Sequence, residues 1–368
     1  MVYLYVLLFF CFSFILIDNN NSSELRKSKI ETIYAFSLFS MIILAFLVGV
    51  NTDKADYESY LSIFENSIPI FSDGYMEYSS KQHTEFGYNL FQSIIKEISN
   101  SSTIWFALFC FVSLVFRYKF YRKFVPLSDI GIVIFSFLAH EFLRKDCVQI
   151  RNGFASALVL FSLICLFNGK RIKFIIIVIC ASLFHKVSLI TLPLVIVRKT
   201  RSRLYEKVLF HVFLMSIIIS ICLPIRNILT ILAEVGLLPN QVITYLNWST
   251  YLVSMKFSNP LLLKQIVIVF FIFFNKKKYF YNNTIFFLFQ VYLVSTVYYL
   301  IFRDFEILAA RFGSLFYGVE GAMLCNMINN SKAKILQKKI LMLSCYFALL
   351  IYNYLTFQEF LGWNPVIR

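Results

Sequence analysis

The stretch at residues 144–194, RKDCVQIRNGFASALVLFSLICLFNGKRIKFIIIVICASLFHKVSLITLPL, sets two arginines and a histidine within an apolar run. Arg144 and Arg151 are seven residues apart, about two helical turns, so one helix through both would present them on one face. From Arg151 the chain has length for one apolar pass, a basic turn at 169–173 and a second pass back. The stretch therefore predicts that His185 returns to Arg151 and that the three side chains share one site.

The composition excludes an ordinary soluble protein. Of 368 residues, 59% are hydrophobic and 43 are Phe, and the mean hydropathy is +0.72. One soluble core cannot cover so many apolar runs. We therefore predict an all-α polytopic membrane protein. No Pro-, Gly- or Ser-rich linker divides the chain, so residues 1–368 are expected to form a single integral membrane domain.

About twelve apolar runs are long enough to cross or nearly cross a bilayer. They lie at 2–17, 32–50, 103–116, 127–143, 153–167, 172–184, 187–197, 208–223, 261–274, 284–302, 308–327 and 340–357. If they alternate from an outer N-terminus, most Lys and Arg fall in inner loops, as the positive-inside rule requires. One such inner loop would hold Arg117, Lys119, Arg122 and Lys123. Joining 172–184 to 187–197 would place the later basic clusters outside, so we predict a break at His185.

Two longer segments fall on the outer side under this topology. In residues 51–102, apolar side chains recur at helical spacing, which predicts amphipathic helices lying along the membrane interface. These side chains are Tyr57, Tyr60, Leu61, Phe64, Phe86, Leu90, Phe91 and Ile94. Residues 224–260 form a second outer loop with an interfacial composition.

The net charge of +15 does not indicate a nucleic-acid partner, because the basic residues come in short clusters between apolar runs. The eight cysteines include no CxxC pair, and most lie inside apolar runs. The sequence therefore indicates neither a metal site nor a disulfide framework.

Five arginines are exceptions to the charge rule, because they lie near span ends on the outer side: Arg144, Arg151, Arg226, Arg303 and Arg311. Near hydrocarbon, an arginine is ion-paired, reaches to the interface, or binds an anion. Several on one face favour anion binding, and pyrophosphate suits the guanidinium fork. Residues 303–311 could instead form a self-contained ion-pair network.

His185 and three outer carboxylates, Asp53, Asp56 and Glu85, are the candidate acid–base groups. The carboxylates could act as a base or bind sugar hydroxyls. Each residue has a structural alternative: His185 could be an interfacial histidine, and Asp53 and Asp56 a solvated loop start. Gly87, close to Glu85, indicates a turn or close helix packing.

Several motifs together resemble the EpsG-type membrane proteins, which include the Wzy-type O-antigen and capsule repeat-unit polymerases. They are DKADYESYLSIF, EFGYNLFQSII, QIRNGFASAL, a basic turn, SLFHKVSLITLPL and RFGSLF, and the similarity spans about residues 50–320. Where the family commonly has a Gly-Pro-like turn or a Glu-Pro/Ile-Gly turn, this chain has Glu85, Phe86 and Gly87, so the acid and the glycine match and the middle residue does not.

The resemblance implies a glycosyltransferase-C-like polymerase of undecaprenyl-pyrophosphate-linked oligosaccharide repeats, working at the periplasmic face of a bacterial inner membrane without a metal or other cofactor. Site roles carry over first to Arg151 and His185, then to Arg311, Asp53, Asp56 and Glu85. The partners would be a lipid-linked glycan donor and acceptor, the bilayer, and a chain-length regulator as a further candidate.

On this hypothesis Arg151, Arg144, Arg311 and Arg303 bind pyrophosphate, and His185 or an outer carboxylate assists the acceptor hydroxyl. Two other classes stay open. A flippase of lipid-linked oligosaccharides should carry charges along a central path and show repeat symmetry. A membrane O-acyltransferase would use histidine and arginine, consume an acyl donor and leave glycan chain length unchanged.

Overall fold

The computed structural model of the chain describes residues 23–52, 54–82, 84–238, 240–247, 253–331 and 335–356. All regular secondary structure in these ranges is helical. Within these ranges, six helices are long and apolar enough to cross a bilayer: Glu31–Val50, Ser102–Phe124, Ile150–Phe167, Arg203–Cys222, Asn283–Ile301 and Ile335–Asn353. A seventh candidate is the pair Glu306–Phe316 and Gly318–Asn329, bent by 49°. The chain is thus a polytopic helical membrane protein, as predicted.

The predicted count of about twelve spans stays a prediction. The run at 2–17 lies outside the described residues. The runs at 187–197 and 261–274 form the shorter apolar helices Lys186–Ile196 and Pro260–Phe274. Short or broken helices cross a bilayer only by tilting, by thinning it or by packing against neighbours, so helix length alone does not fix the count.

The chain divides into two compact units. The first comprises Met1–Leu192 and Leu324–Arg368, and the second Pro193–Met323.

The first unit begins with α1 (Ser23–Val50), α2 (Tyr57–Glu65), α3 (Tyr75–Lys81), α4 (Phe86–Ile98) and α5 (Ser102–Phe124). The segment at 51–102 therefore contains the three helices α2, α3 and α4, as its periodicity predicts. Tyr57, Tyr60 and Phe64 are the buried face of α2. In α4 the apolar side chains Phe86, Ile94 and Ile98 are exposed, which suits a helix whose apolar face meets lipid.

The end of α5 corrects one expectation from the sequence. Arg117 does not lie in an inner loop but inside α5, which continues to Phe124, and its side chain is fully buried. The apolar run stops at Phe116 only because charged residues follow it. The helix continues because Arg117 finds buried partners in the tertiary structure.

The next apolar run is an irregular helix. It comprises a 3₁₀ turn (Leu127–Asp129), α6 (Ile130–Phe137), a π-helical segment (Leu138–Phe142) and α7 (Leu143–Lys145). A turn then leads into α8 (Ile150–Phe167). Arg144 and Arg151 consequently belong to different helices, which corrects the idea of one helix presenting both. Later in the chain, α18 (Ile335–Thr356) completes this unit and packs against α6 and the π-helical segment.

A tight hairpin joins α8 to α9 (Arg171–Ser182). Gly169 at this turn has φ +78°, a left-handed conformation that glycine adopts without a Cβ clash. Helix α9 ends at Ser182, and a 3₁₀ helix runs over Lys186–Ile196. The predicted break at His185 is therefore confirmed.

The second unit contains α10 (Arg203–Cys222), α11 (Ile225–Glu234), α12 (Asn240–Asn247), α13 (Pro260–Phe274), α14 (Lys276–Tyr279), α15 (Asn283–Ile301), α16 (Glu306–Gly313) and a 3₁₀ turn (Ser314–Phe316). Helix α17 (Gly318–Asn329) follows. Local sequence sets several starts: Ser202, Asn259 and Asn282 accept backbone N–H groups at the first turns of α10, α13 and α15.

Candidate functional site

The site begins where α4 docks onto the turn between α9 and the 3₁₀ helix. The backbone N–H groups of Gly87 and Tyr88 both donate to the carbonyl of Leu183, at 2.8 and 3.2 Å. These N–H groups lie in the first turn of α4 and have no partner within their own helix. A Cβ on Gly87 would lie 2.8 Å from Leu183 Cβ and 2.9 Å from its carbonyl oxygen. Glycine is therefore required for this approach.

Glu85 immediately precedes α4, so the docking brings its carboxylate to the end of α9. Arg151 Nη1 donates to Glu85 Oε2 at 2.8 Å. His185 Nδ1 lies 3.5 Å from Glu85 Oε1, and the Lys186 N–H donates to the same oxygen at 3.4 Å. The predicted proximity of Arg151 and His185 is confirmed, and one carboxylate joins them. We call Glu85, Arg151 and His185 the site triad.

The triad is partly buried, with side-chain exposures of 12% for Glu85, 28% for Arg151 and 14% for His185. Burial by itself raises the pKa of the Glu85 carboxyl, but hydrogen bonding to His185 and the charge of Arg151 outweigh it and lower this pKa to about 2. Glu85 is thus an anion at any physiological pH. Arg151 is the most exposed of the three and can reach a ligand.

Two tyrosines enclose Arg151. Its guanidinium carbon lies 5.7 Å from the Tyr60 ring centroid and 5.5 Å from that of Tyr88, within the range of cation–π attraction. Both rings are buried against Trp105. Burial raises the pKa of the Tyr60 hydroxyl although the neighbouring Arg151 opposes this, so Tyr60 stays neutral. The aromatic wall fixes one side of the arginine.

The triad has the geometry of an oriented histidine base. A carboxylate next to Nδ1 favours the tautomer with the proton there and leaves Nε2 to accept a proton. Such contacts are often long in unliganded sites and tighten when substrate binds. Glu85 itself, with a pKa of about 2, is a weak base. The arrangement therefore offers His185 as base and Arg151 as anion ligand.

The structure says less about the other two predicted carboxylates, Asp53 and Asp56. Asp53 lies outside the described residues. Asp56 stands at the N-cap position of α2 without a side-chain capping hydrogen bond, and its charge acts on the Tyr60 hydroxyl, which places it near the aromatic wall. Arg144 Nη2 donates to Asn353 Oδ1 of α18 at 3.0 Å. This hydrogen bond connects Arg144 to α18.

Arg226, Arg303 and Arg311 belong to the second unit. Arg303 makes three hydrogen bonds, to the side chain and carbonyl of Ser220 and to the Met255 carbonyl. Arg226 bonds to Asp304 through its backbone and side chain. Among the described residues Arg303 and Asp304 therefore bond outside the 303–311 segment, which is not the self-contained network considered above. The Arg311 guanidinium stacks 4.7 Å from the Tyr245 ring.

In the part of the chain that the structure describes, no three His, Cys, Asp or Glu side chains are grouped so that they could hold a metal ion.

A family model described as the EpsG family matches residues 33–367. The chain belongs to the EpsG family. No curated protein and no solved structure matches it significantly. EpsG-family membership together with the apolar helices makes this chain a membrane protein of polysaccharide biosynthesis. The matched range includes all three residues of the site triad.

Sequence reasoning missed two features of this EpsG-family protein. The aromatic wall of Tyr60 and Tyr88 carries no signal beyond helical spacing. A buried charged cluster of Arg117, Glu141, Lys145 and Asp146 was missed as well. The sequence did contain a signal for this cluster, because charged residues at the edges of apolar runs are energetically costly unless they are paired. Only the fold shows that these four pair with one another.

Proposed function

We propose that this EpsG-family protein is a Wzy-type polymerase, which joins undecaprenyl-pyrophosphate-linked oligosaccharide repeats into O-antigen or capsular polysaccharide. It would act without a metal, at the periplasmic face of a bacterial inner membrane, on a glycosyltransferase-C-like scaffold of about twelve spans. The observation that supports this most is the site triad, in which Glu85 holds an arginine of α8 and a histidine of the turn after α9 in one partly open site.

The reaction joins the anomeric carbon of the donor glycan to an acceptor hydroxyl. The hydroxyl oxygen attacks that carbon and the bond from carbon to the pyrophosphate oxygen breaks, with its electron pair leaving on the lipid pyrophosphate. His185 Nε2 takes the hydroxyl proton as the general base. Guanidinium donors of Arg151 that do not face Glu85 stabilise the charge on the leaving phosphate.

Glu85 has a supporting role in this scheme. Its pKa of about 2 keeps it charged, so it orients His185 and stabilises the imidazolium that forms. Arg151 binds the other carboxylate oxygen and so fixes Glu85 in turn. The Tyr60 and Tyr88 rings exclude water from one side of the Arg151–Glu85 ion pair.

The remaining predicted residues are proposed as ligands of the substrate. Asp53 and Asp56 are proposed to bind sugar hydroxyls at the start of α2. Arg144 and Arg311 are proposed as further pyrophosphate ligands. Arg303 is proposed as a further pyrophosphate ligand with less weight, because its three hydrogen bonds to Ser220 and Met255 already use part of its five N–H donors.

The test is the product of cells and of purified protein carrying Arg151→Ala or His185→Ala. Both variants should leave glycan at a single lipid-linked repeat, and purified wild-type protein in detergent should lengthen lipid-linked repeats. A flippase would not do so without a second compartment, and an acyltransferase would leave the length unchanged.

Matched controls are His211→Ala and Arg122→Ala. His211 is exposed and its Nδ1 contacts the carbonyl of Lys207 in its own helix, and Arg122 donates to the Tyr34 hydroxyl at 2.6 Å. Both controls should give a normal polysaccharide ladder. Normal ladders from the two site variants would refute the assignment.

A further inference from the structure

Four charged residues form a fully buried cluster in the first unit, each at most 3% exposed. Arg117 of α5 lies at its centre. Its Nη1 contacts Glu141 Oε2 at 3.2 Å, and its Nη2 contacts Asp146 Oδ2 at 3.2 Å. Lys145 Nζ lies 3.8 Å from Glu141 Oε2, and Ser113 donates to the other oxygen of Asp146. Two positive and two negative charges balance within the cluster.

The cluster also binds the helix that carries Arg151. Arg117 Nη2 donates to the Gly153 carbonyl at 3.1 Å and to Ser156 Oγ at 2.7 Å, both in the first two turns of α8. A Cβ on Gly153 would lie 2.8 Å from the Lys145 carbonyl oxygen, so α8 and the end of α7 are in close backbone contact. Arg151 lies two residues before Gly153. Arg117 therefore connects the π-helical segment, which precedes the turn at 146–149, with α8, which follows it.

The π-helical segment positions Glu141, the acidic partner of Arg117. Glu141 lies within Leu138–Phe142, where an extra residue per turn changes the direction of the side chains. Asn353 of α18 donates to the Ala139 carbonyl at 2.8 Å and accepts from Arg144. The π-helical segment and the start of α7 are thus tied to α18, and Glu141 is held toward Arg117.

Charge balance alone would not require this geometry. A buried ion cluster that serves only stability can often be replaced by apolar residues of similar volume. Here one guanidinium spans two carboxylates, a backbone carbonyl and a serine hydroxyl, a set of contacts that the planar arginine fork can make and an ammonium cannot. Three of these partners lie at the turn into α8 or in its first two turns.

From these contacts we propose that Arg117 is a positioning residue, which fixes the first turns of α8 and so holds Arg151 in register with Glu85 and His185. This inference rests on the proposed function of Arg151. It adds to the site triad a buried residue that touches no substrate. A displacement of about 1 Å at a reacting group costs ~100-fold in rate, so a loosened helix start would reduce turnover.

The experiment uses the full-length protein in detergent with Arg117→Lys, which keeps the charge balance and loses the fork. Amide hydrogen exchange at 146–156 should rise by about tenfold or more, and kcat for lipid-linked repeats should fall ~10- to 100-fold at an unchanged KM. The thermal midpoint should fall as well, because the ammonium leaves part of these buried partners without a hydrogen bond, so the positioning role is read from kcat and exchange in the folded variant. Arg122→Lys on the same helix is the control and should match wild type in all three measurements.

Ser156→Ala is a second variant, which keeps all four charges and tests the inference if Arg117→Lys does not fold. It should raise exchange at 146–156 and lower kcat by a smaller factor of about three. Wild-type exchange and wild-type kcat in a folded Arg117→Lys, or in Ser156→Ala, would overturn the positioning role. Failure of the proposed function would appear differently, as normal chain lengthening by Arg151→Ala and His185→Ala.

Discussion

Glu85 is the residue on which the proposed site depends. From the sequence it was one of three outer carboxylates with no feature to rank them. The structure separates them: Glu85 binds Arg151 and faces His185, whereas Asp56 lies near the aromatic wall and Asp53 falls outside the described residues. The chemical role changes with the contacts, because a carboxylate held at low pKa orients a base better than it acts as one.

A pH-dependent stability difference should follow from the lowered pKa of Glu85. Its folded-state pKa of about 2 lies below the ordinary 4.5, so its contribution is present above pH 4.5 and is lost as the pH falls toward 2. The shift corresponds to about 3 kcal/mol at neutral pH. Glu85→Gln should therefore lower the thermal midpoint in detergent at pH 7, and its gap from wild type should shrink between pH 5 and pH 3.

The control for this measurement is Glu77→Gln. Glu77 is 70% exposed and pairs with Lys81 four residues on, a surface contact that contributes little. The thermal midpoint of Glu77→Gln should equal that of wild type at every pH. A gap between wild type and Glu85→Gln that stays constant from pH 7 to pH 3 would show that Glu85 is not ionised with a lowered pKa.

At the scale of elements, the contact between α4 and the turn at 183–185 assembles the triad. The α8–α9 hairpin returns the chain to the level of Arg151, and the break after Ser182 exposes the Leu183 carbonyl to the first N–H groups of α4. Charge distribution predicted the break, because a continuous helix would have reversed the later basic clusters. It could not predict which helix would dock there.

Gly87→Ala should separate the triad without unfolding the protein. The added methyl meets the Leu183 backbone, which cannot move aside as a flexible side chain could, so α4 must shift away from the turn. Overpacking of this kind costs about 1–3 kcal/mol, and turnover should fall ~10- to 100-fold because Glu85 moves from His185. The measurements are chain lengthening in detergent and thermal midpoint.

Ile98→Ala serves as the control for Gly87→Ala. It lies at the far end of the same helix with its side chain 77% exposed. It should leave chain lengthening intact. Full activity of Gly87→Ala would mean that close docking of α4 is not needed for the site.

At the scale of the whole molecule, the charge distribution predicts which ends face which side of the membrane. The hairpin turn at 169–170 should be cytoplasmic and α3 periplasmic. A membrane-impermeant maleimide should label Ser80→Cys in cells with an intact inner membrane, and should label Lys170→Cys only after lysis. Both positions are exposed. The parent chain gives the background from its eight cysteines, and labelling of both positions from one side would contradict the topology.

The fold class followed directly from composition, but the span boundaries did not. Apolar runs end where charged residues begin, and this rule placed Arg117 in a loop. The helix instead continues through Arg117 to Phe124, because Glu141 and Asp146 neutralise the guanidinium inside the protein. A hydropathy argument has no access to partners 24 and 29 residues away.

Hydrophobic length and the positions of charges are local properties of the chain, and they suffice to predict a helical membrane protein, the break at His185 and the proximity of Arg151 and His185. The contacts of Glu85 with both residues and of Arg117 with α8 follow from the tertiary structure alone. Those contacts connect helices distant in sequence, and they depend on how closely two backbones approach, as at Gly87 and Gly153, which no local pattern encodes.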